Sequence, residues 1–198
     1  MGKEIELKAK INNLKAVESW VKKNCEFVQS TFQEDILYDY LPRSFLIDKE
    51  KLKADEFLRI RKTNERDILT HKIIRRTEQG EFLFCDEYES EINICSQKDI
   101  LKILSPFNID EISAESCKNG DQLDDFLEKS NFSKIATISK KRQEFKFRNF
   151  NISIDNVLNL GNFIEIENLK EEVDDRKVKI IKNQMSKILE DINIYADS

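Results

Sequence analysis

Five short segments of this 198-residue chain alternate charged with other side chains, and within most segments the charges share one sign. In a β-strand successive side chains point to opposite faces, so every second residue shares a face. Glu4-Ile5-Glu6-Leu7-Lys8 places Glu4, Glu6 and Lys8 together, with Ile5 and Leu7 behind them. Leu58-Arg59-Ile60-Arg61 pairs two guanidiniums, and Glu87-Tyr88-Glu89-Ser90-Glu91 lines up carboxylates. Ile138-Ser139-Lys140-Lys141-Arg142 gives Lys140 and Arg142 a common face, and Phe163-Ile164-Glu165-Ile166-Glu167 does the same for Glu165 and Glu167. A solvated strand face is ordinarily a mixture of Thr, Ser, Lys, Gln and Glu. Faces sorted by sign point instead to a charged interior that binds something.

The remaining pattern supplies elements that can enclose such an interior. Leu14, Val17, Trp20 and Val21 form a helical stripe after the first strand, with Asn12 or Asn13 as its N-cap. Phe27 to Tyr40 reads as one long strand or a strand pair, ended by Leu41-Pro42-Arg43. Phe57–Lys62 and Ile68–Arg75 form a hairpin through Thr63-Asn64-Glu65-Arg66, and Phe82–Asn93 follows the Gln79-Gly80 turn. Helices are expected at Gln97–Leu104, Leu123–Lys129 and Asp174–Asp191, and strands at Ser133–Phe147, Ile152–Leu158 and Asn162–Asn168. No linker or repeat divides the chain, so residues 1–198 read as a single domain.

About eight strands, mostly antiparallel by their short turns, lose their exposed edges if they close into one barrel. Closure turns the charged faces inward. The inward cations are then Lys8, Arg59, Arg61, Lys72, Lys140 and Arg142, and the inward carboxylates Glu4, Glu6, Glu89, Asp155, Glu165 and Glu167. Unpaired buried charge costs several kcal/mol per ion, so the lumen must hold water, metal and a charged ligand. A carboxylate patch suits hard divalent cations and a cationic patch suits phosphate oxygens. Together they are the parts of phosphoryl-transfer chemistry.

Composition narrows the partners. With 33 basic and 38 acidic residues and a net charge of -5, the chain has no general attraction for nucleic acid or anionic membrane. Any phosphate binding must be local. Cys25, Cys85, Cys95 and Cys117 lack CxxC spacing and read as reduced structural thiols of a cytoplasmic protein. No stretch approaches the ~18 apolar residues of a membrane span. His71, the one histidine, lies opposite Lys72 in strand parity and reads as a packing or surface residue rather than a general base.

Glu4-Ile5-Glu6-Leu7-Lys8 also resembles the ExExK signature of the CYTH, or triphosphate tunnel metalloenzyme, superfamily of class IV adenylate cyclases, thiamine triphosphatases and inorganic triphosphatases. The ordered series behind it makes the match specific: Gln33-Glu34-Asp35 to Tyr38 and Pro42, Phe57 to Arg61, Leu69 to Lys72, Glu87-Tyr88-Glu89, Lys140 to Arg142, Ile154 to Val157, and Leu160 to Glu167. The resemblance implies an α+β fold, a closed eight-stranded antiparallel β-barrel with flanking helices. It also implies that Glu4, Glu6, Glu89, Asp155, Glu165 and Glu167 coordinate Mg²⁺ or Mn²⁺, while Arg59, Arg61, Lys72, Lys140 and Arg142 grip the triphosphate. Lys8 either binds phosphate or, with Tyr38, orients the nucleophile. The implied activity is that of a class IV adenylate cyclase, ATP to cyclic AMP plus pyrophosphate. The alternatives are hydrolysis of inorganic or thiamine triphosphate, and a non-catalytic polyphosphate- or nucleotide-binding module. The His-Phe pair that precedes ExExK in class IV cyclases has no counterpart ahead of Glu4. The expected partner is a triphosphate-containing small molecule, with neither nucleic acid nor membrane, and a homodimer stands beside a monomer as the assembly.

Overall fold

The structure, a computed structural model, describes residues 2–48, 53–109, 117–170 and 174–194. Its strands in chain order are β1 (Gly2–Lys10), β2 (Glu26–Tyr40), β3 (Leu46–Asp48), β4 (Lys53–Ala54), β5 (Glu56–Thr63), β6 (Asp67–Arg76), β7 (Phe82–Glu91), β8 (Phe132–Phe147), β9 (Phe150–Val157) and β10 (Gly161–Lys170). The described helices are α1 (Leu14–Asn24), α2 (Gln97–Leu104), α3 (Gly120–Lys129) and α4 (Asp175–Asp191). Eight strands close into an antiparallel barrel in the order β1-β10-β9-β8-β2-β5-β6-β7. The segment from Phe27 to Tyr40 is one long strand, and the small β3–β4 pair is an addition that the alternation did not reveal. Among the described residues no helix is long and apolar enough to cross a membrane.

The chain divides into two compact units, and β2, β7 and β8, with the last residue of β6, contribute to both. The first unit comprises residues 33–75 and 86–138. Its apolar alternates, Ile36, Tyr38 and Tyr40 of β2, Leu58 and Ile60 of β5 and Leu69 of β6, are buried with Ile100, Ile103 and Leu104 of α2, Leu123 and Leu127 of α3, and Phe107. Each Leu or Ile buried in this way contributes roughly 1.5–3 kcal/mol, which fixes strand register because a one-residue slip would exchange these side chains for the charged ones. Asn119 caps α3 by accepting from the Gln122 N–H. The Gly120 N–H donates to Asp67 Oδ2 at 2.7 Å. A Cβ on Gly120 would lie 2.8 Å from that oxygen, so the absence of a side chain permits this approach of helix to strand.

The second unit comprises residues 2–32, 76–85 and 139–198 as described above. Ile5 and Ala9 of β1, Phe145 of β8, Ile152 and Ile154 of β9, and Ile164 and Ile166 of β10 pack with Val17 and Val21 of α1 and with Val178, Ile181, Met185, Ile188 and Leu189 of α4. Asn13 caps α1 through the Ala16 N–H, and Asp174 caps α4 through the Lys177 N–H. In both units the apolar set lies under the helices. The charged set is left on the other face of the same strands.

Candidate functional site

Each unit carries a cluster of buried charge on the face opposite its helices. In the second unit the register sets Lys8 directly across from Glu165, Glu6 from Glu167, and Arg142 from Asp155. The Arg142 guanidinium donates from Nε to Asp155 Oδ1 and from Nη2 to Oδ2, both at 2.7 Å, and Nη2 also reaches Glu165 Oε2 at 3.1 Å. Arg142 Nη1 stands 3.8 Å from Glu167 Oε1, and Lys140 Nζ lies 3.3 Å from Asp155 Oδ2. Lys8 donates to Glu165 Oε2 at 2.9 Å, although its side chain is 46% exposed. Glu4, Lys140, Arg142, Asp155 and Glu165 are all buried.

Such burial needs compensation. Burial alone would push the Glu165 carboxyl up, but Arg142 and Lys8 hold it well below the ordinary range. Burial is likewise outweighed at Asp155 by the Arg142 hydrogen bonds and the Lys140 charge, so Asp155 stays ionised. Arg142, opposed by burial, is kept charged by Glu165, Asp155 and Glu167. Glu167 goes the other way. Burial, the hydrogen bond with Glu165, and the charges of Glu165 and Glu4 push it up to about 9, so the Glu165–Glu167 pair shares a proton at neutral pH.

That proton marks an excess of acid, since five carboxylates stand in this cluster with three cations. Glu6 and Glu167 directly across a strand pair repel when both are ionised. A divalent cation in place of the shared proton would relieve this crowding, and the all-oxygen donor set suits a hard cation. Among the described residues no three His, Cys, Asp or Glu groups are already gathered as a metal site. The Asp155 and Glu165 oxygens are instead turned to Arg142, Lys140 and Lys8. The donor chemistry therefore fits a divalent cation, and its binding would have to draw Glu165 away from its cationic partners.

The cluster of the first unit is built around two arginines. Arg61 grips Asp35 with one edge of its fork, Nε to Oδ1 at 2.6 Å and Nη2 to Oδ2 at 3.0 Å. Arg59 Nη1 lies 3.7 Å from Asp35 Oδ2, while its Nη2 reaches Thr70 Oγ1 at 3.1 Å and Glu89 Oε1 at 3.3 Å. Thr70 donates to that same Glu89 oxygen, and Lys72 Nζ stands 3.1 Å from Glu87 Oε1. The Nε–H of Arg59 is buried without an acceptor. A buried donor in that state costs about 1–3 kcal/mol, a cost that an anionic oxygen entering the cluster would remove.

The structure thus gathers Glu4, Glu6, Lys8, Lys140, Arg142, Asp155, Glu165 and Glu167 in one unit, and Arg59, Arg61, Lys72 and Glu89 in the other. Tyr38 joins neither. It lies on the face of β2 opposite Asp35, fully buried among Leu58, Leu123 and Leu127, and its hydroxyl donates to Asp124 Oδ1 at 2.6 Å. Burial and Asp124 both push its phenol up, so it stays protonated. His71 is a core residue, its Nε2 2.8 Å from Glu56 Oε1 and its ring against Phe107 and Tyr88. Asp35, buried, and Glu87, half-buried, belong to this cluster, although neither was among the inward carboxylates expected from alternation. Glu87 was within reach, being in phase with Glu89. Asp35 was not, because its alternate Leu37 breaks the charged period.

Comparison with known proteins gives this arrangement a family. Residues 2–198 match the CYTH domain. "Putative adenylate cyclase MJ0240" of Methanocaldococcus jannaschii is 27% identical over 196 residues, covering 98% of this chain and 92% of that protein. The solved PH1819 protein of Pyrococcus horikoshii OT3 superposes with a TM-score of 0.71 at 25% identity, covering 98% and 92% of the two chains. A protein from Hippeastrum, "Putative adenylyl cyclase HpAC1", described as having a dominant triphosphatase activity, has a TM-score of 0.58 at 16% identity over 98% and 89%. The match to the family spans nearly the whole sequence, and the chain belongs to the CYTH domain family.

Proposed function

We propose that this protein is a divalent-cation-dependent enzyme acting on a triphosphate-containing substrate, with conversion of a nucleoside triphosphate to a cyclic nucleotide and pyrophosphate as the leading reaction. The observation that carries the reading is the coexistence, on the charged faces of one closed sheet, of an acid-rich cluster and a set of buried cations held in fixed geometry. A structural domain has no use for either, since replacing buried ion pairs by apolar residues is often neutral or stabilising. A relative named for adenylate cyclase supports the reaction.

Glu4, Glu6, Glu165 and Glu167, with Asp155 and Glu89, are the residues that would hold Mg²⁺ or Mn²⁺. Such an ion, when bound, would supply Lewis-acid polarisation of phosphoryl oxygens and of the attacking oxygen. The chain's own residues do the rest. Arg59, Arg61, Lys72, Lys140 and Arg142 bind and orient the triphosphate and neutralise charge that develops on the leaving phosphates. The Glu165–Glu167 pair holds one proton between two carboxylates, the proton that a bound cation would displace. Lys8 bridges the two functions, an exposed ammonium already on Glu165 and available to a phosphate oxygen.

A second reading, hydrolysis of a triphosphate to a diphosphate and phosphate, uses the same residues with water as nucleophile, and the Hippeastrum relative of the same fold is described by that activity. One experiment separates the readings. Purified protein is incubated with Mg²⁺ or Mn²⁺ and ATP, inorganic tripolyphosphate or thiamine triphosphate, and phosphate, pyrophosphate and cyclic nucleotide are quantified. Cyclic nucleotide with equimolar pyrophosphate supports cyclisation, and phosphate release supports hydrolysis. Failure to turn over any substrate, with a Glu4→Ala/Glu6→Ala variant indistinguishable from wild type in metal-induced stabilisation, refutes the enzyme reading. Tight tripolyphosphate binding without turnover assigns a binding module.

A further inference from the structure

Asp35 is a buried carboxylate set against two cations in the first unit's cluster. For a site that attracts a polyanion this is the wrong charge, because it weakens the attraction of Arg59 and Arg61 for phosphate. Its presence therefore needs a reason other than affinity. The geometry supplies one. Asp35 lies directly across from Arg61 in the β2–β5 register and takes the Nε and Nη2 edge of its guanidinium at 2.6 and 3.0 Å. It also stands 3.7 Å from Arg59 Nη1. A planar fork held on one edge by a bidentate carboxylate cannot swing, and its remaining N–H groups point in a fixed direction.

The second unit repeats the device with different residues. Lys140 and Arg142, two residues apart on β8 as Arg59 and Arg61 are on β5, share the buried Asp155 of the neighbouring antiparallel strand. There too the carboxylate lies directly across from the arginine and binds its Nε and Nη2 edge, at 2.7 Å each. Two cations anchored by one aspartate, built twice on different strands, is an arrangement with a purpose beyond packing. In the first unit it leaves Arg59 with Nη1 toward Asp35, Nη2 on Thr70 and Glu89, and the buried Nε–H without an acceptor.

We infer that Asp35 is a positioning residue, which fixes the guanidinium of Arg61 and draws that of Arg59 toward it by charge, so that the two arginines meet the triphosphate oxygens in the geometry of the transition state. The inference rests on the triphosphate reading proposed above. It trades ground-state attraction for orientation, and that trade has a kinetic signature.

The test is Asp35→Asn in the full chain, assayed with tripolyphosphate and with ATP in the presence of Mg²⁺. Loosening the fork lowers kcat by about 10- to 100-fold, while KM stays the same or falls because a negative charge has left an anion site. The Arg61 Nε–H exchange with solvent, followed by ¹⁵N NMR without substrate, becomes at least about tenfold faster in the variant as the charge-assisted bond is lost. An unchanged kcat, a raised KM at unchanged kcat, or a loss of activity that only tracks the unfolded fraction overturns the inference. If wild-type protein turns over neither compound, the proposed function fails by itself. The exchange measurement then still decides whether Asp35 holds Arg61, and unaltered exchange overturns that too.

Discussion

Arg142 serves three carboxylates at once, so removing it should cost more than removing any one of them. In Arg142→Met the apolar side chain fills the space, but Asp155 keeps the Lys140 contact at 3.3 Å and Glu165 keeps the Lys8 contact at 2.9 Å, with Arg142's own bonds at 2.7, 2.7 and 3.1 Å gone. Breaking a buried ion pair from one side costs about 3–5 kcal/mol. For a chain of this size that is a fall in Tm of roughly 6–20 °C, at about 2–4 °C per kcal/mol. In Asp155→Asn the amide oxygen still accepts from the guanidinium, and Arg142 keeps Glu165 and Glu167. Its cost should be the smaller one of lost charge-assisted bonds, about 1.5–3 kcal/mol. Urea unfolding of the metal-free proteins at neutral pH, followed by circular dichroism, measures both. A cost within about 1 kcal/mol of zero for Arg142→Met, or a larger cost for Asp155→Asn than for Arg142→Met, would refute the assignment of Arg142 as the hub of this cluster.

Other consequences are local to each unit. Tyr38→Phe leaves the buried Asp124 with Lys134 but without its phenol donor, and should lose about 1–2 kcal/mol in the same unfolding assay. Gly120→Ala improves intrinsic helix propensity but drives a Cβ to 2.8 Å from Asp67 Oδ2, which must give up the Gly120 N–H to move aside. Net destabilisation of about 1–2 kcal/mol is expected, and Asp67→Ala in the same chain should remove most of the difference between Gly and Ala at position 120. Stability should also fall with acid: burial, only partly offset by Glu56, holds His71 below its ordinary range, while Arg43 and His71 outweigh burial to hold Glu56 low. In both cases the unfolded chain takes up the proton first, so stability declines as pH drops from about 6.5 and further below about 4.5. His71→Leu should flatten the upper part of that pH profile and weaken the lower part, because Glu56 then keeps only Arg43 to hold it low.

The barrel was legible because two constraints act on the same residues. Burial of Ile5, Ile164, Ile166, Leu58 and Ile60 under helices forces the alternates outward from the apolar core, and those alternates are charged. Period two in the sequence therefore reports both the strand and the existence of a second, polar face. The hairpin at Thr63–Arg66 follows from the same pattern and from turn residues, whereas alternation left β2 open between one long strand and a pair. The β3–β4 pair does not, because its short strands, of three and two residues, hold too little periodicity to register.

Parity tells which face a residue occupies only after one member of the strand has been placed. Tyr38 shows the difficulty: the family resemblance implied a role for it at the charged face, but it stands three positions after Asp35, and that odd spacing puts the two on opposite sides of β2. His71 follows the same rule against Lys72. What no spacing rule could supply is partner choice. Arg61 could have met any carboxylate on its face, and only the register of β2 against β5 brings it to Asp35, just as the register of β8 against β9 brings Arg142 to Asp155. The consequence is a distinction between kinds of carboxylate that sequence treats alike. Asp35 and Asp155 each have both oxygens committed to cations, whereas Glu167 carries a proton because cations do not suffice for it. A divalent cation gains most where a proton is already being held against repulsion. On the proposed function, the carboxylates of β1 and β10 are therefore expected to engage a metal before the aspartates that anchor the arginines do.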